Sequence, residues 1–308
     1  MKVTIGIVNY NRLFYLKSCA KSLIESTKDF DNIEFMCVDD NSSEPGTQEY
    51  LNFLSDLGWK IFNQQEHRNE EKNHSDSYND YDHAFAFFDA LNLMFEESSG
   101  DLFIPLQGDM QFIRRGWLQE YIDLFSEKQN ILSATLDAQR RVRLANSEYE
   151  KIEIKNKVTF AHESGRRVSA AGDCVFRSSI IKELGGWVPS SEFSTPEDNF
   201  RFNFENKYGT SNTVCVPWLP PAAIIWTDPR GTNARVRGNK RYGSYWPATD
   251  DTYYEWNADN DFNFLNRPAS IEELAHANGG WELPLDENGN WKKLNADQID
   301  LDDYEIIN

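Results

Sequence analysis

Acidic residues follow two of the short apolar runs in the sequence, at the point where each run ends. Asp39 and Asp40 come directly after the run at 33–38, and Asp109 stands three residues beyond a run that ends at Leu106. A carboxylate in such a position can accept an N–H group from a nucleobase or coordinate a hard divalent cation. The two acidic groups are therefore the first indication of a ligand-binding site.

Short apolar runs alternate with amphipathic helical patterns up to residue 106. This alternation predicts an α/β fold with a mainly parallel sheet and right-handed connections. Ligands bind outside the carboxyl ends of the strands in such sheets, which is where both acidic groups would lie. The predicted strands are Val3–Val8, Ile33–Val38, Trp59–Phe62 and Leu102–Leu106, and the predicted helices are Arg12–Ser26, Thr47–Asp56 and Asp82–Glu97.

The second half of the chain is less regular. The interval Gln64–Tyr81 has no apolar period and is predicted to be a surface loop. Beyond residue 230, the basic segment Arg230–Arg241 precedes a polar and acidic tail. The predicted helices of this half are Gly116–Lys128, Ser178–Leu184 and Glu197–Lys207, and its predicted strands are Ile131–Thr135, Thr213–Val216 and Ala222–Trp226.

Composition and charge restrict the class of protein. The 308 residues can bury one large core, or a main domain with an appendage, and the net charge of −19 argues against nucleic acid or an anionic membrane surface as the main partner. No apolar run approaches the length of a transmembrane segment, and the first run is too short for a signal peptide. We expect a cytoplasmic protein with buried, reduced thiols. These are Cys19, Cys37, Cys174 and Cys215.

Five segments, taken in order, resemble the family 2 glycosyltransferases with the GT-A fold. They are V-T-I-G-I-V-N-Y-N-R, V-D-D-N-S-S, G-D-L-F-I-P-L-Q-G-D-M, A-G-D-C-V-F-R-S-S-I-I-K-E-L-G-G-W and P-E-D-N-F-R-F-N-F-E-N-K-Y-G, between residue 3 and about residue 228. The resemblance implies a GT-A-type, Rossmann-like mixed sheet, mainly parallel and flanked by helices, over residues 1–230. Its nucleotide-binding half would be 1–110 and its acceptor-side half 111–230, with a C-terminal extension at 231–308.

The resemblance also implies an activity. A sugar would pass from a nucleotide-diphosphate sugar, a UDP-sugar by family frequency, to a hydroxyl of a carbohydrate or other acceptor. The reaction would invert the anomeric carbon and use Mn²⁺ or Mg²⁺, as in a hexosyltransferase.

The donor nucleotide would lie at the ends of the first, second and fourth strands. Asp40 falls where the family contacts the base, and Asp39 would serve the ribose or hold the loop. The alternative for residues 39–42 is a cap on the following turn and helix, and both roles can coexist. The donor-binding residues that the resemblance implies are Val8, Asn9, Tyr10, Arg12, Asp39, Asp40 and Gln107.

The metal would be held by Asp109, the second acid of the family's Asp-x-Asp motif, and by Asp228, which stands where the family often has a histidine. A divalent cation offsets the negative charge that develops on the leaving diphosphate. Gln107 replaces the first acid of the motif and brings no charge, which weakens the metal site. The alternative for Asp109 is a plain turn residue.

The resemblance assigns the general base to Asp198, with Gly172, Asp173 and Glu197 on the acceptor side. Such a base typically contributes about 10²–10⁴-fold to the rate. Pro196 marks the predicted helix start, so both acids of the Glu-Asp pair would lie in the first turn. Their alternative role is to stabilise the helix terminus through its dipole.

Arg235 and Arg237 are candidates to close over the donor diphosphate, since arginine suits bidentate phosphate contacts. A solvated basic turn is the equal alternative. The main rival for the whole chain is a nucleotide- or sugar-binding module that retains the fold without activity, which Gln107 and the absent histidine favour. A nucleotidyltransferase is disfavoured because 9–12 is not a Gly-rich phosphate loop.

Overall fold

A computed structural model of the chain describes residues 1–64, 80–108, 110–112, 115–136, 149–154, 157–163, 170, 172, 174–193, 195–214 and 222–225. In chain order the elements are β1 (Val3–Asn9), α1 (Leu13–Thr27), β2 (Ile33–Asp39), α2 (Thr47–Asp56), β3 (Lys60–Asn63), α3 (Asp80–Glu96), β4 (Leu102–Gln107), β5 (Met110–Phe112), α4 (Trp117–Glu127), β6 (Ser133–Thr135), β7 (Tyr149–Ile154), β8 (Lys157–Glu163), β9 (Cys174–Arg177), α5 (Ser178–Leu184), α6 (Pro196–Tyr208), β10 (Thr213–Val214) and β11 (Ala223–Ile225).

The described residues form a seven-stranded sheet in the order β10-β6-β9-β4-β1-β2-β3. The pairs β4–β1, β1–β2, β2–β3 and β6–β10 are parallel, whereas β9 runs antiparallel to both β4 and β6. Two antiparallel pairs, β5–β11 and β7–β8, lie outside this sheet. The prediction of a mixed, mainly parallel α/β sheet is confirmed.

Apolar side chains cover both faces of the central strands. On one face, Ile5 of β1 and Ile104 of β4 belong to a core that also contains Trp117 of α4 and residues of α1 and α2. On the other face, Phe103 of β4 belongs to a second core with residues of α3, α5 and α6. Burial on both faces explains why the parallel strands read as continuous apolar runs in the sequence.

Most predicted elements of the first half lie within two residues of their observed bounds, and α2 and α5 have the predicted ends. The surface loop predicted up to Tyr81 is wrong at its end, because α3 begins at Asp80. The strand predicted from Ile131 begins at Ser133. The strands β5, β7, β8 and β9 were not predicted. The basic segment and the tail lie outside the described residues, so the division near residue 230 stays a prediction.

Three of the four cysteines are described, and Cys19, Cys37 and Cys174 are buried, as predicted, and form no disulfide. Burial raises the pKa of the Cys37 thiol, and the nearby Asp39 carboxylate raises it further. Cys215 lies outside the described residues. Within the described part of the chain, none of the helices has the length and apolar character that a bilayer span requires.

Glu34 of β2 connects several elements near the amino ends of the strands. Its carboxylate accepts hydrogen bonds from Thr4 Oγ1 over 2.8 Å and from the backbone N–H and hydroxyl of Ser99 over 2.9 and 2.8 Å. Lys60 Nζ lies 2.7 Å from Oε1. Burial raises the pKa of Glu34, but the hydrogen bonds from Lys60, Thr4 and Ser99 outweigh it and lower the pKa to about 2.

Candidate nucleotide-binding site

The carboxyl ends of three neighbouring strands lie side by side at one edge of the central sheet. Asn9 of β1 is the register partner of Asp39 of β2, and Val8 is the partner of Gln107 of β4. The backbone N–H of Asp40 donates to the carbonyl oxygen of Asn9 over 2.9 Å, which extends the ladder by one residue. Five of the predicted donor-binding residues are therefore brought together from separate parts of the chain.

The carboxylate of Asp39 is engaged by the loop that follows β2. Its Oδ1 accepts hydrogen bonds from Asn9 Nδ2 over 2.7 Å and from Ser42 Oγ over 2.6 Å, and its Oδ2 accepts the backbone N–H of Ser42 over 2.8 Å. These bonds compensate the burial of a charge that is only 5% exposed. Asp39 thus holds the loop, and its predicted contact with the ribose stays a prediction.

Asp40 is buried at the end of β2, with 4% of its surface exposed. An N–H donor that reaches a buried carboxylate forms a stronger hydrogen bond than it would at an exposed one, because less water competes. The position therefore fits the predicted contact with a nucleobase, which itself stays a prediction.

Tyr10 and Arg12 lie in the turn between β1 and α1, and both are half-buried. Arg12 is the residue that precedes the first turn of α1, with a φ of −143°, and its own side chain does not cap the helix. The turn is adjacent to the strand ends that carry Asn9 and Asp40. Both residues are thus placed next to the other predicted donor-binding residues.

The side chains of three residues that the sequence analysis did not select connect this turn to the β2–α2 loop. They are Asn11, Ser42 and Glu44. The backbone N–H of Asn11 donates to Ser42 Oγ over 2.8 Å, and Asn11 Oδ1 accepts the backbone N–H groups of Ser43 and Glu44 over 2.7 and 3.0 Å. Glu44 Oε2 in turn accepts the N–H of Leu13, the first residue of α1, over 2.7 Å. Burial raises the pKa of Glu44, although the bond from Leu13 opposes this.

The sequence signal for these contacts was weak. Asn and Ser are ordinary turn residues, and nothing in their spacing indicates that one turn contacts another some thirty residues away. The contact depends on β1 and β2 being register partners, which only the sheet topology establishes.

Gly172 brings the acceptor-side segment against the end of β4. Its carbonyl oxygen accepts the backbone N–H of Gln107 over 3.2 Å. A Cβ atom at Gly172 would lie 2.5 Å from Gln107 Cγ and 3.1 Å from Gln107 N, so the close approach requires glycine. Gly172 and Gln107, which belong to two different segments of the family resemblance, are therefore neighbours.

The Glu-Asp pair lies in the first turn of α6, as predicted. Thr195 is the N-cap, and its hydroxyl both accepts the N–H of Asp198 over 3.2 Å and donates to Asp198 Oδ2 over 3.0 Å. Arg201 reaches back one turn, with Nη1 2.7 Å from Asp198 Oδ1 and Nη2 2.5 Å from Glu197 Oε1. The pair thus stabilises the helix terminus, and its acceptor-side roles stay predictions.

Several predicted site residues lie outside the described residues: Asp109, Asp173, Asp228, Arg235 and Arg237. In the part of the chain that the structure describes, no group of three or more His, Cys, Asp or Glu side chains is arranged to hold a metal ion. The strands that adjoin the two predicted metal ligands, Asp109 and Asp228, in the sequence are described. They are β5 and β11, in which Met110 is paired with Ile225.

Comparison with known proteins finds one family model that matches part of this chain. Residues 4–74 match the model of Glycosyl transferase family 2, which confirms the family resemblance over the segment that contains β1, β2 and β3. No curated protein gives a significant match.

The architecture resembles those of solved glycosyltransferases and is of the GT-A type. S. aureus TarS 1-349 in complex with UDP aligns with a TM-score of 0.50 and 14% identity, over 75% of this chain and 62% of that one. M. tuberculosis glucosyl-3-phosphoglycerate synthase aligns with a TM-score of 0.43 and 10% identity, over 70% of this chain and 69% of that one. This chain therefore spans less than two thirds of TarS 1-349. At 14% identity, the alignment with TarS 1-349 shows a shared fold and no more.

Proposed function

We propose that this chain is a glycosyltransferase of the hexosyltransferase type, which transfers a sugar from a UDP-sugar to an acceptor hydroxyl. The observation that carries the proposal is the convergence of Asn9, Asp40 and Gln107 at the carboxyl ends of β1, β2 and β4. This is the edge at which α/β sheets bind their ligands. UDP as the donor nucleotide is supported by the complex of S. aureus TarS 1-349 with UDP.

In the proposed reaction, an oxygen of the acceptor attacks the anomeric carbon from the face opposite the diphosphate. The new glycosidic bond forms as the bond to the diphosphate oxygen breaks, so the configuration inverts. Asp198 takes the hydroxyl proton, and the bond to the leaving group supplies the electron pair that stays on the diphosphate. Asp173 and Glu197 are proposed to orient the acceptor, and Gly172 to shape its side of the site.

Arg235 and Arg237 are proposed to contact the diphosphate, as bidentate donors to its oxygens. Asp109 and Asp228 are proposed to hold Mn²⁺ or Mg²⁺, because carboxylate oxygens suit hard cations. The strand pairing of Met110 with Ile225 supports the choice of these two ligands. Asp109 precedes Met110 by one residue, and Asp228 follows Ile225 by three. When bound, the cation neutralises charge on the leaving diphosphate.

A cytoplasmic location is part of the proposal. It is supported by Cys19, Cys37 and Cys174, which are thiols in the core rather than disulfides.

A binding module without activity is the second candidate, and the contacts of Asp198 favour it. Its Oδ1 is paired with Arg201 and its Oδ2 with the Thr195 hydroxyl. These contacts explain Asp198 by its place at the start of α6, with no catalytic role required.

Calorimetry with UDP and UDP-sugars, in Mn²⁺ and in EDTA, tests the proposal. We expect binding that is strongest with the cation and is weakened in the Asp109→Asn variant. Equal affinity in EDTA would remove the metal from the proposal. Donor hydrolysis or transfer over a panel of acceptors then separates the enzyme from the binding module, since only the enzyme releases UDP.

A further inference from the structure

We propose that Asn11 is a positioning residue for the nucleotide site. Its side chain fastens the turn that carries Tyr10 and Arg12 to the loop that carries Asp40, and so fixes both walls of the site before the ligand arrives. The inference rests on the proposed function, and it concerns a residue that the sequence analysis did not select.

The contacts of Asn11 form a cross-connection between the two loops. One amide oxygen, Oδ1, accepts two successive backbone N–H groups, those of Ser43 and Glu44, over 2.7 and 3.0 Å. The backbone N–H of the same residue donates to Ser42 Oγ, whose hydroxyl donates to Asp39 Oδ1 over 2.6 Å. A continuous chain of hydrogen bonds therefore leads from the β1–α1 turn to the residue next to Asp40.

The position favours asparagine for two reasons. Its φ is +48°, in the left-handed region that asparagine enters more readily than most other residues. It is also 4% exposed, so its amide oxygen accepts both N–H groups without much competition from water. Glycine would keep the backbone conformation and lose the acceptor, whereas aspartate would keep the acceptor and add a charge near Asp39 and Glu44.

The loss of this contact should affect binding more than folding. Ser43 is exposed and Glu44 is half-buried, so water can replace the lost acceptor in the folded protein. The loop would then have to be ordered when the nucleotide binds, and that entropy is subtracted from the affinity. A residue that only stabilised the fold would instead lower the unfolding temperature and leave the Kd of the folded protein unchanged.

The test is the Asn11→Gly variant, which keeps the left-handed backbone and removes the side chain. We expect the Kd for UDP in Mn²⁺ to rise about tenfold, which corresponds to about 1.4 kcal/mol, with an unfolding temperature no lower than that of Asn41→Gly, which carries the same backbone cost. The amides of Ser43 and Glu44 should exchange with deuterium faster than in the wild type. The Asn11→Asp variant keeps the acceptor and should restore slow exchange at these two amides.

Asn41→Gly is the matched control, because Asn41 lies in the same loop, is exposed and has a φ of +57°. It adds the same backbone freedom without removing the contact, so its Kd should equal that of the wild type. An unchanged Kd in Asn11→Gly, in a wild type that binds UDP, would overturn this inference alone. A wild type that does not bind UDP in Mn²⁺ would overturn the proposed function and this inference with it.

Discussion

At the residue scale, Asp198 distinguishes an enzyme from a binding module. Asp198→Asn should leave the Kd for UDP nearly unchanged and lower turnover about 10²-fold or more, because the amide cannot take the acceptor proton. Turnover and calorimetry on the same preparation measure both quantities. Glu205→Gln, near the other end of α6, removes the same charge and should leave turnover unchanged. Full activity in Asp198→Asn would assign the base elsewhere.

Glu34 should make the protein sensitive to acid independently of its function. Its side chain is 9% exposed, and removing its charge-assisted hydrogen bonds in Glu34→Gln should lower the free energy of unfolding by about 1–3 kcal/mol at pH 7. The folded pKa of about 2 lies below the ordinary value of 4.5, so the unfolded chain binds more protons between these values. The contribution of Glu34 is therefore complete above pH 4.5 and is lost as the pH falls towards 2.

Urea unfolding between pH 2.5 and 7 measures how the free energy of unfolding changes with pH. This slope should be shallower in Glu34→Gln than in the wild type. Glu183→Gln is the control, because Glu183 pairs with Lys207 at the surface, where its side chain is 50% exposed, and it should change stability little. Glu44 should change the free energy of unfolding in the opposite sense. Its pKa is raised on folding, so its contribution to stability falls as the pH rises through that pKa. A steeper slope in Glu34→Gln would contradict the assignment.

The residue types of the site could be predicted, but the partners of several could not. The spacing of Asp39 and Asp40 after an apolar run indicated a ligand site at the strand ends. That Asp39 binds Ser42 and Asn9, and that Asn11 holds the next loop, depends on which loops become neighbours in the sheet. A linear pattern of polar residues carries no information on that adjacency.

At the scale of elements, the contact of residue 172 with the end of β4 limits what the site tolerates. Gly172→Ala should lower the free energy of unfolding by about 1–3 kcal/mol, since the new Cβ meets Gln107 at 2.5 Å. It should also weaken UDP binding, because Gln107 must move. Denaturant unfolding and calorimetry measure the two effects.

The double variant Gly172→Ala with Gln107→Ala removes the atom that causes most of this overlap. Its loss in free energy of unfolding should be smaller than the sum of the losses in the two single variants, as expected for residues in contact. Additive losses of stability would show that the clash is relieved in another way.

The elements of the first half were predictable because their patterns are long and their strands are buried on both faces. β9 has only four residues, and its antiparallel direction is fixed by pairing with β4 and β6, which lie far back in the sequence. The apolar pattern therefore indicated a mainly parallel α/β sheet and left out β9, the strand that makes it mixed, whereas the mixed character was implied by the family resemblance.

At the scale of the whole molecule, the net charge of −19 opposes an anionic ligand. Without a divalent cation, the affinity for UDP should therefore rise as NaCl increases from 20 to 200 mM, because salt screens the repulsion. With Mn²⁺ present, the affinity for UDP should depend less on the NaCl concentration. Titrations at several salt concentrations in EDTA measure it, and an affinity that falls with salt would show that local cationic side chains dominate the field.

The position of β9 has a consequence for synthesis on the ribosome. β4 ends at residue 107, yet its neighbour on that side begins at residue 174, so the chain carries β4 with an unpaired edge until the later segment emerges. At about 5–20 residues per second this interval lasts roughly 3–13 s. An apolar strand with an open edge is a template for pairing with another chain. Nascent chains are therefore prone to associate in this interval, and translation pauses before residue 174 would prolong it.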